Sequence, residues 1–143
     1  MTRRAAVLDL GSRTFHLLVA DVEQVADVER ASIRPVLRRR ARLHLGAVVQ
    51  EHGRIPGEVI SSAARHVAEL CDLARAAGAT TLTVTATAAF RAAANSETVI
   101  ERLSAAAGTA VALLSVEEEG RLTYQAACAA IGTAGAQALV LDL

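Results

Sequence analysis

The chain has 143 residues, of which 52% are hydrophobic and 2% aromatic, and its 15 basic residues balance 15 acidic ones. This length supports one well-buried core and leaves little room for two complete domains. Zero net charge argues against a general nucleic-acid or membrane-surface protein, because such proteins carry a basic excess. Every basic residue is Arg. Chemistry that needs a Lys, such as a Schiff base or a P-loop lysine, is therefore excluded.

Three extended segments open the chain. The apolar residues 4–10 and the alternating residues 14–22 predict two strands joined as a hairpin. A third strand is predicted over residues 32–45, and Pro35 places it at an edge of the sheet because proline cannot donate to a central ladder. The first strand is expected near the centre, since Ala5–Leu8 is apolar on both faces.

Helices and strands then alternate. The predicted bounds are a helix from Pro56 to before Gly78, a strand at 81–86, a short helical piece at 88–93, a helix at 96–107, a strand at 111–114, a helix from Ser115 to about Ile131, and a strand from about 138. The order β-β-β-α-β-α-β-α predicts an α/β fold with a mixed five-stranded sheet covered by helices. With no signal peptide and no run of about 18 apolar residues, a cytoplasmic protein is expected.

The segment Asp9-Leu10-Gly11-Ser12-Arg13-Thr14 follows the first strand. A strand that delivers an Asp into a Gly-Ser turn suits phosphate binding, because the carboxylate can lie near a metal ion while Gly lets backbone amides approach the anion. Asp, Gly and Ser are also ordinary turn residues, so an unadorned hairpin turn explains this segment equally well. A shortened copy, Val140-Leu141-Asp142-Leu143, stands at the end of the sequence.

Three further clusters each have a functional and a structural interpretation. Arg91 follows a strand end and suits bidentate phosphate contacts, or is a solvated helix residue with Asn95 as a cap. Glu117–Glu119 begin a helix, whose dipole stabilises them, and a catalytic Glu there would deprotonate a water that attacks phosphorus. Alternate arginines of Arg38–Arg42 share one strand face, where they guard an edge or, less usually, form a polyanion track.

Together and in this order, these segments resemble the exopolyphosphatase/guanosine pentaphosphate phosphohydrolase family of the actin-like ATPase superfamily. The resemblance is carried by Asp9–Val19, Thr85–Asn95, Ser115–Tyr124 and Val140–Asp142. The family has two ribonuclease-H-like lobes around a phosphate cleft. The resemblance implies that residues 1–135 form the first lobe and that 136–143 form the first strand of the second.

The resemblance also implies roles for individual residues. Glu119 matches the general base and Arg91 the cleft arginine, with Mg²⁺ as cofactor. Polyphosphate or guanosine pentaphosphate is the implied partner, with no nucleic acid and no membrane. The remaining implied residues are Asp9 and Asp142 at the metal, and Gly11, Ser12, Arg13 and Thr14 at the phosphate.

The sequence departs from the family pattern in three ways. Arg13 stands where the family usually has Asn, Val116 replaces a Gly, and the second Gly-rich loop and second lobe are not in the sequence. A chain with only one of the two phosphate-binding lobes is expected to hydrolyse substrate slowly unless a homodimer completes the site. The alternatives are a non-catalytic phosphate-binding or regulatory module and a sugar or acetate kinase of the same superfamily. The Glu117–Glu119 block argues against the kinase.

Overall fold

The computed structural model describes residues 2–23 and 32–131 of the chain. Two compact units are present, Met1–Leu113 and Leu114–Leu143. The elements are β1 (Thr2–Leu10), β2 (Thr14–Glu23), β3 (Ser32–Arg42), α1 (Leu45–His52), α2 (Gly57–Ala76), β4 (Thr81–Ala86), α3 (Ala88–Ala92), α4 (Ser96–Ala107), β5 (Val111–Leu113) and, in the second unit, α5 (Val116–Ile131). The strand predicted from about residue 138, the predicted lobe boundary at 135 and Asp142 lie outside the described residues.

A mixed five-stranded sheet in the order β3-β2-β1-β4-β5 organises the first unit, as the sequence predicted. β1 and β3 each pair antiparallel with β2. β4 pairs parallel with both β1 and β5. The predictions that β1 is central and β3 is an edge strand are therefore confirmed. The register aligns Leu8 with Leu17 on one side and with Val84 on the other, so apolar side chains of three neighbouring strands share one face.

Only this face of the sheet carries the hydrophobic core. Leu8 and Leu10 are fully buried, whereas Val7 between them is 45% exposed. Apolar residues on both faces of β1 therefore do not mean that both faces are buried. β1 is central because it pairs with a strand along each edge. We call the face that carries Val7, Asp9 and His16 the open face.

Helix α1 was not predicted. The sequence placed residues 43–45 in the third strand, but that strand ends at Arg42. Only Leu45 and Val49 of α1 are buried, and one i,i+4 pair in eight residues is too short a pattern to reveal a helix. His44 precedes α1 in the left-handed region, with φ of 55°, and this conformation turns the chain from strand to helix.

The longer helices match their predicted bounds. Pro56 is the N-cap of α2, and Gly108 ends α4 in a left-handed conformation. Both helices contribute buried apolar side chains to the one core cluster that also holds the sheet residues. In that core the rings of Phe15 and Phe90 lie 6.3 Å apart. No helix in the described part of the chain is long and apolar enough to cross a membrane.

A buried carboxylate lies at the end of β2. Asp21 is 7% exposed and accepts a hydrogen bond from Arg4 Nε at 2.7 Å and another from Arg34. The three residues are register neighbours on β1, β2 and β3. Arg4 also donates to the carbonyl of Ala77 after α2. The Arg4 hydrogen bond, aided by the charges of both arginines, lowers the pKa of Asp21, while burial opposes the shift.

Acid should destabilise the protein through Asp21. Its folded pKa is depressed below the ordinary 3.8, so its stabilising effect is present above that value and is lost as the pH falls through the folded pKa. We expect Asp21→Asn to be less stable at pH 7 and to lose less stability between pH ~5 and ~2. Urea unfolding followed by circular dichroism measures this. Asp72→Asn, which removes an exposed carboxylate paired with Arg75, is the control. Parallel pH profiles for wild type and Asp21→Asn would contradict the assignment.

Candidate functional site

The turn between β1 and β2 is tight enough to require glycine. The amide of Gly11 donates to the carbonyl of Thr14 at 3.2 Å. A Cβ added to Gly11 would lie 2.9 Å from that same oxygen, closer than Cβ atoms approach in proteins. The backbone at Gly11 is therefore packed against the opposite side of its own turn.

Ser12 fastens this turn to two helices. Its carbonyl accepts a hydrogen bond at 2.8 Å from the amide of Gly46 in α1, and its Oγ accepts one at 3.1 Å from the amide of Ala89 in α3. A Cβ on Gly46 would lie 3.2 Å from the Ser12 Cβ, so the helix approaches closely because it has a glycine there. A serine hydroxyl is also a donor, so this arrangement is compatible with a phosphate contact by Ser12.

Arg13 holds the turn to the end of β3 through its backbone. Its carbonyl accepts hydrogen bonds from the amides of Leu43 and His44, both at 3.1 Å. These bonds do not depend on the side chain at position 13. An Arg at position 13, where the resemblance implies Asn, is therefore compatible with this anchor of the turn.

Asp9 lies in a row of polar residues across the open face. The register places Arg40 of β3 beside His16 of β2, His16 beside Asp9 of β1, and Asp9 beside Thr85 of β4. Thr85 Oγ1 donates to Asp9 Oδ1 at 3.4 Å. Asp9 is half-buried, so its carboxylate is oriented by a neighbouring strand and still reached by solvent.

Magnesium binding at Asp9 stays a prediction, and the described side chains bear on how the ion would be held. Within residues 2–23 and 32–131, no group of three or more His, Cys, Asp or Glu side chains that could hold a metal is present. Mg²⁺ commonly takes one or two carboxylates and fills its other positions with water and substrate phosphates. A single half-buried carboxylate beside the turn is compatible with coordination that is completed by water and substrate. The described residues do not form a site in which protein side chains alone surround the ion.

Arg91 lies near the end of α3, which is held from both sides. Ser12 contacts the helix at Ala89, and Asn95 anchors the turn that follows it. Asn95 occupies the N-cap position of α4 but makes no capping bond with its side chain. Instead its amide accepts from the Ile55 amide at 2.9 Å and donates to the Ile55 carbonyl at 2.8 Å. The interpretation of Asn95 as a cap is therefore confirmed for its position and wrong for its side chain, because a loop distant in sequence takes both side-chain hydrogen bonds.

In the second unit, a capping box starts α5 as predicted. Ser115 Oγ accepts from the amide of Glu118 at 3.1 Å, and Glu118 Oε2 accepts from the amide of Ser115 at 2.8 Å. This reciprocal pair satisfies two amides at the helix start. Glu119 is the next residue and is half-buried, with its own amide bonded to the Ser115 carbonyl. The convergence of Asp9, Arg91 and Glu119 on one cleft stays a prediction.

Comparison with known proteins gives consistent findings. The Ppx/GppA phosphatase family matches over residues 22–143. Exopolyphosphatase 1 of Mycobacterium tuberculosis is 31% identical over 140 residues, which cover 98% of this chain and 39% of that protein. Exopolyphosphatase 2 of the same species is 28% identical over 145 residues, which cover 98% of this chain and 45% of that protein. The chain thus spans about two-fifths of the length of these relatives.

Solved structures agree on the fold. The crystal structure of the Aquifex aeolicus member of the Ppx/GppA family superposes with a TM-score of 0.78 and 28% identity, covering 92% of this chain and 41% of that one. An exopolyphosphatase from Cytophaga hutchinsonii superposes with a TM-score of 0.73, and the match covers 85% of this chain and 37% of that one. At 22% identity this similarity supports the fold alone.

Adding a methyl group at Gly11 should destabilise the first unit. Gly11→Ala forces a Cβ against the Thr14 carbonyl, and we expect a loss of about 1–3 kcal/mol in the free energy of unfolding. Gly57→Ala is the matched control, because a Cβ there meets nothing within 4 Å. Urea denaturation of both variants tests this. Equal stability of the two alanine variants would show that the turn at Gly11 relaxes without cost.

Proposed function

The chain belongs to the Ppx/GppA phosphatase family, and we propose that it forms the N-terminal part of a Mg²⁺-dependent phosphatase that acts on terminal phosphoanhydrides. Inorganic polyphosphate or guanosine pentaphosphate is the proposed substrate. The observation that carries the proposal is the Gly11–Arg13 turn. It is bonded to α1, α3 and the end of β3, next to a half-buried carboxylate at Asp9.

Positioning of the phosphate is the first task of such a site. The turn is held by backbone hydrogen bonds, so a phosphoryl group bound there would meet groups already in place. Ser12 and Thr14 would donate from their hydroxyls, and Arg91 would offer two parallel N–H bonds to phosphate oxygens. Phosphoryl transfer depends mostly on positioning and charge stabilisation, so a fixed turn matters more here than a reactive side chain.

Asp9 and Asp142 are the proposed metal ligands. Bound Mg²⁺ supplies neutralisation of the charge that develops on the phosphoryl oxygens. A long hydrogen bond of 3.4 Å from Thr85 on the neighbouring strand is one contact that orients the Asp9 carboxylate. Compensation by preorganised groups costs no rearrangement during the reaction.

Glu119 is the proposed general base. The capping box assigns the helix-start role to Glu118 and Ser115, so capping does not account for a glutamate at 119. A carboxylate in that position would take a proton from the attacking water while the phosphoanhydride bond breaks. The base would thereby act on the water and the turn on the phosphoryl group.

Replacing the proposed base should remove turnover without unfolding the chain. In a chain extended to the length of the relatives, Glu119→Gln should lower kcat by roughly 10²–10⁴-fold, the usual contribution of general-base catalysis. Glu118→Gln is the neighbouring control, since glutamine also serves at this position of a capping box. A steady-state phosphate-release assay with Mg²⁺ and long-chain polyphosphate measures both. Similar kcat values for the two variants would remove Glu119 from the mechanism.

The isolated 143 residues should hydrolyse polyphosphate far more slowly than the extended chain. The physical reason is that the matched relatives are more than twice as long, and half of a surrounding site supplies only part of the positioning and charge. The same assay on both lengths decides between enzyme and non-catalytic binding module. Comparable rates would mean that this part suffices or that a homodimer completes the site. Undetectable release by both lengths would favour the binding module.

A further inference from the structure

A groove of about 420 Å³ lies at the corner where the Gly11–Arg13 turn meets β2 and β3. Its volume falls in the range of small-molecule sites, roughly 300–1,000 Å³. One of its residues belongs to the Gly11–Arg13 turn, and the other five lie on β2, on β3 or just before α1. The lining residues are Arg13, Thr14, His16, Arg40, Arg42 and His44.

The strand register explains why these side chains share one surface. Thr14 pairs with Arg42, and His16 pairs with Arg40, so all four lie on the open face. Directly opposed residues of an antiparallel pair have their Cβ atoms about 4.5–5.5 Å apart. The carbonyl of Arg13 binds the amides that follow Arg42, which brings a third arginine to the same corner. Three arginines therefore line one concave surface.

The groove concentrates positive charge, because none of the residues found to line it is an Asp or Glu. The nearest acids lie outside this lining: Asp9 is the register partner of His16, and Glu58 lines a neighbouring groove together with Arg42. None of the ion pairs found in that part of the chain uses Arg13, Arg40 or Arg42, whereas Arg4 and Arg34 both pair with Asp21. Like charges placed close together on one face repel, and a bound anion relieves that repulsion. Edge protection alone needs exposed charge but not a cluster around a groove.

The chemistry of the lining favours a phosphate chain. The guanidinium fork matches two phosphate oxygens at once, and Thr14 adds a hydroxyl donor. No Phe, Tyr or Trp lines the groove, so the large aromatic rings on which single-stranded nucleic acids stack are missing from it. Three arginines around one groove suit several phosphates in a row, which favours inorganic polyphosphate.

The groove lies close to the proposed metal ligand Asp9. His16 is the register partner of Asp9, and neighbouring strands lie about 4.8 Å apart. The groove therefore begins one strand away from the proposed metal ligand and extends to the sheet edge at β3. We infer that it is a subsite for the non-reacting phosphates of an inorganic polyphosphate chain, held by Arg13, Arg40 and Arg42. The assignment to the non-reacting phosphates of a substrate rests on the proposed function, whereas anion binding in the groove does not require hydrolysis.

Calorimetric titration of the 143-residue chain with tripolyphosphate, in EDTA and at fixed salt, tests the subsite. Arg40→Gln combined with Arg42→Gln should weaken tripolyphosphate binding at least tenfold. Arg65→Gln combined with Arg102→Gln is the matched control. It removes the same charge from exposed positions on α2 and α4 and should change the affinity by less than about twofold. Replacing Arg40 and Arg42 by Lys should restore only part of the affinity, because Lys keeps the charge and loses the fork.

Orthophosphate titrations and thermal unfolding complete the test. Orthophosphate should bind wild type at least tenfold more weakly than tripolyphosphate, and equal affinity would mean a simple anion site in place of a chain subsite. Unfolding curves of the Gln pair should match wild type, and the Lys pair provides the comparison if they do not. Equal losses of tripolyphosphate affinity in the two double Gln variants, or no loss in either, would overturn the inference. Loss of turnover in Glu119→Gln with groove binding intact would leave the inference standing apart from the catalytic proposal.

Discussion

The hydrogen bonds made by Ser12 are the constraint on which the rest of the site depends. One residue in a three-residue turn bonds to α1 through its carbonyl and to α3 through its hydroxyl. These contacts fix the turn after the central strand relative to the helix that carries Arg91. Each such bond contributes only about 0.5–1.5 kcal/mol to stability. Their importance lies in geometry, because they set the turn before any ligand is present.

Two glycines make that arrangement sterically allowed. Gly11 lets the turn close on the Thr14 carbonyl, and Gly46 lets α1 approach the Ser12 side chain. The sheet contributes the other half of the design. One face is buried under α2 and α4, which leaves the opposite face to carry polar residues across four strands. A protein that buried both faces of β1 would have no surface on which Asp9 and His16 could meet a ligand.

Ion pairing divides the arginines of β3 and its neighbours into two groups. At one end of β2, Arg4 and Arg34 share the buried carboxylate of Asp21 and fasten the sheet to the end of α2. At the other end, Arg40 and Arg42 border a groove whose lining holds no described acid. The same residue type thus pairs with a buried acid at one end of the sheet and lines the proposed anion subsite at the other, where none of the described ion pairs uses Arg40 or Arg42.

The sequence by itself determined the local features. Alternation and turn residues predicted the five strands, Pro35 predicted the edge position of β3, and the Ser115–Glu118 box predicted the start of α5. These signals act over a few residues and so survive without knowledge of the fold. Tertiary structure alone decided that Asn95 serves the distant Ile55, that one face of β1 stays open, and that Arg13, Arg40 and Arg42 surround one groove. Each of these depends on strand register and on contacts between segments far apart in sequence, and periodicity within a segment carries no information about either.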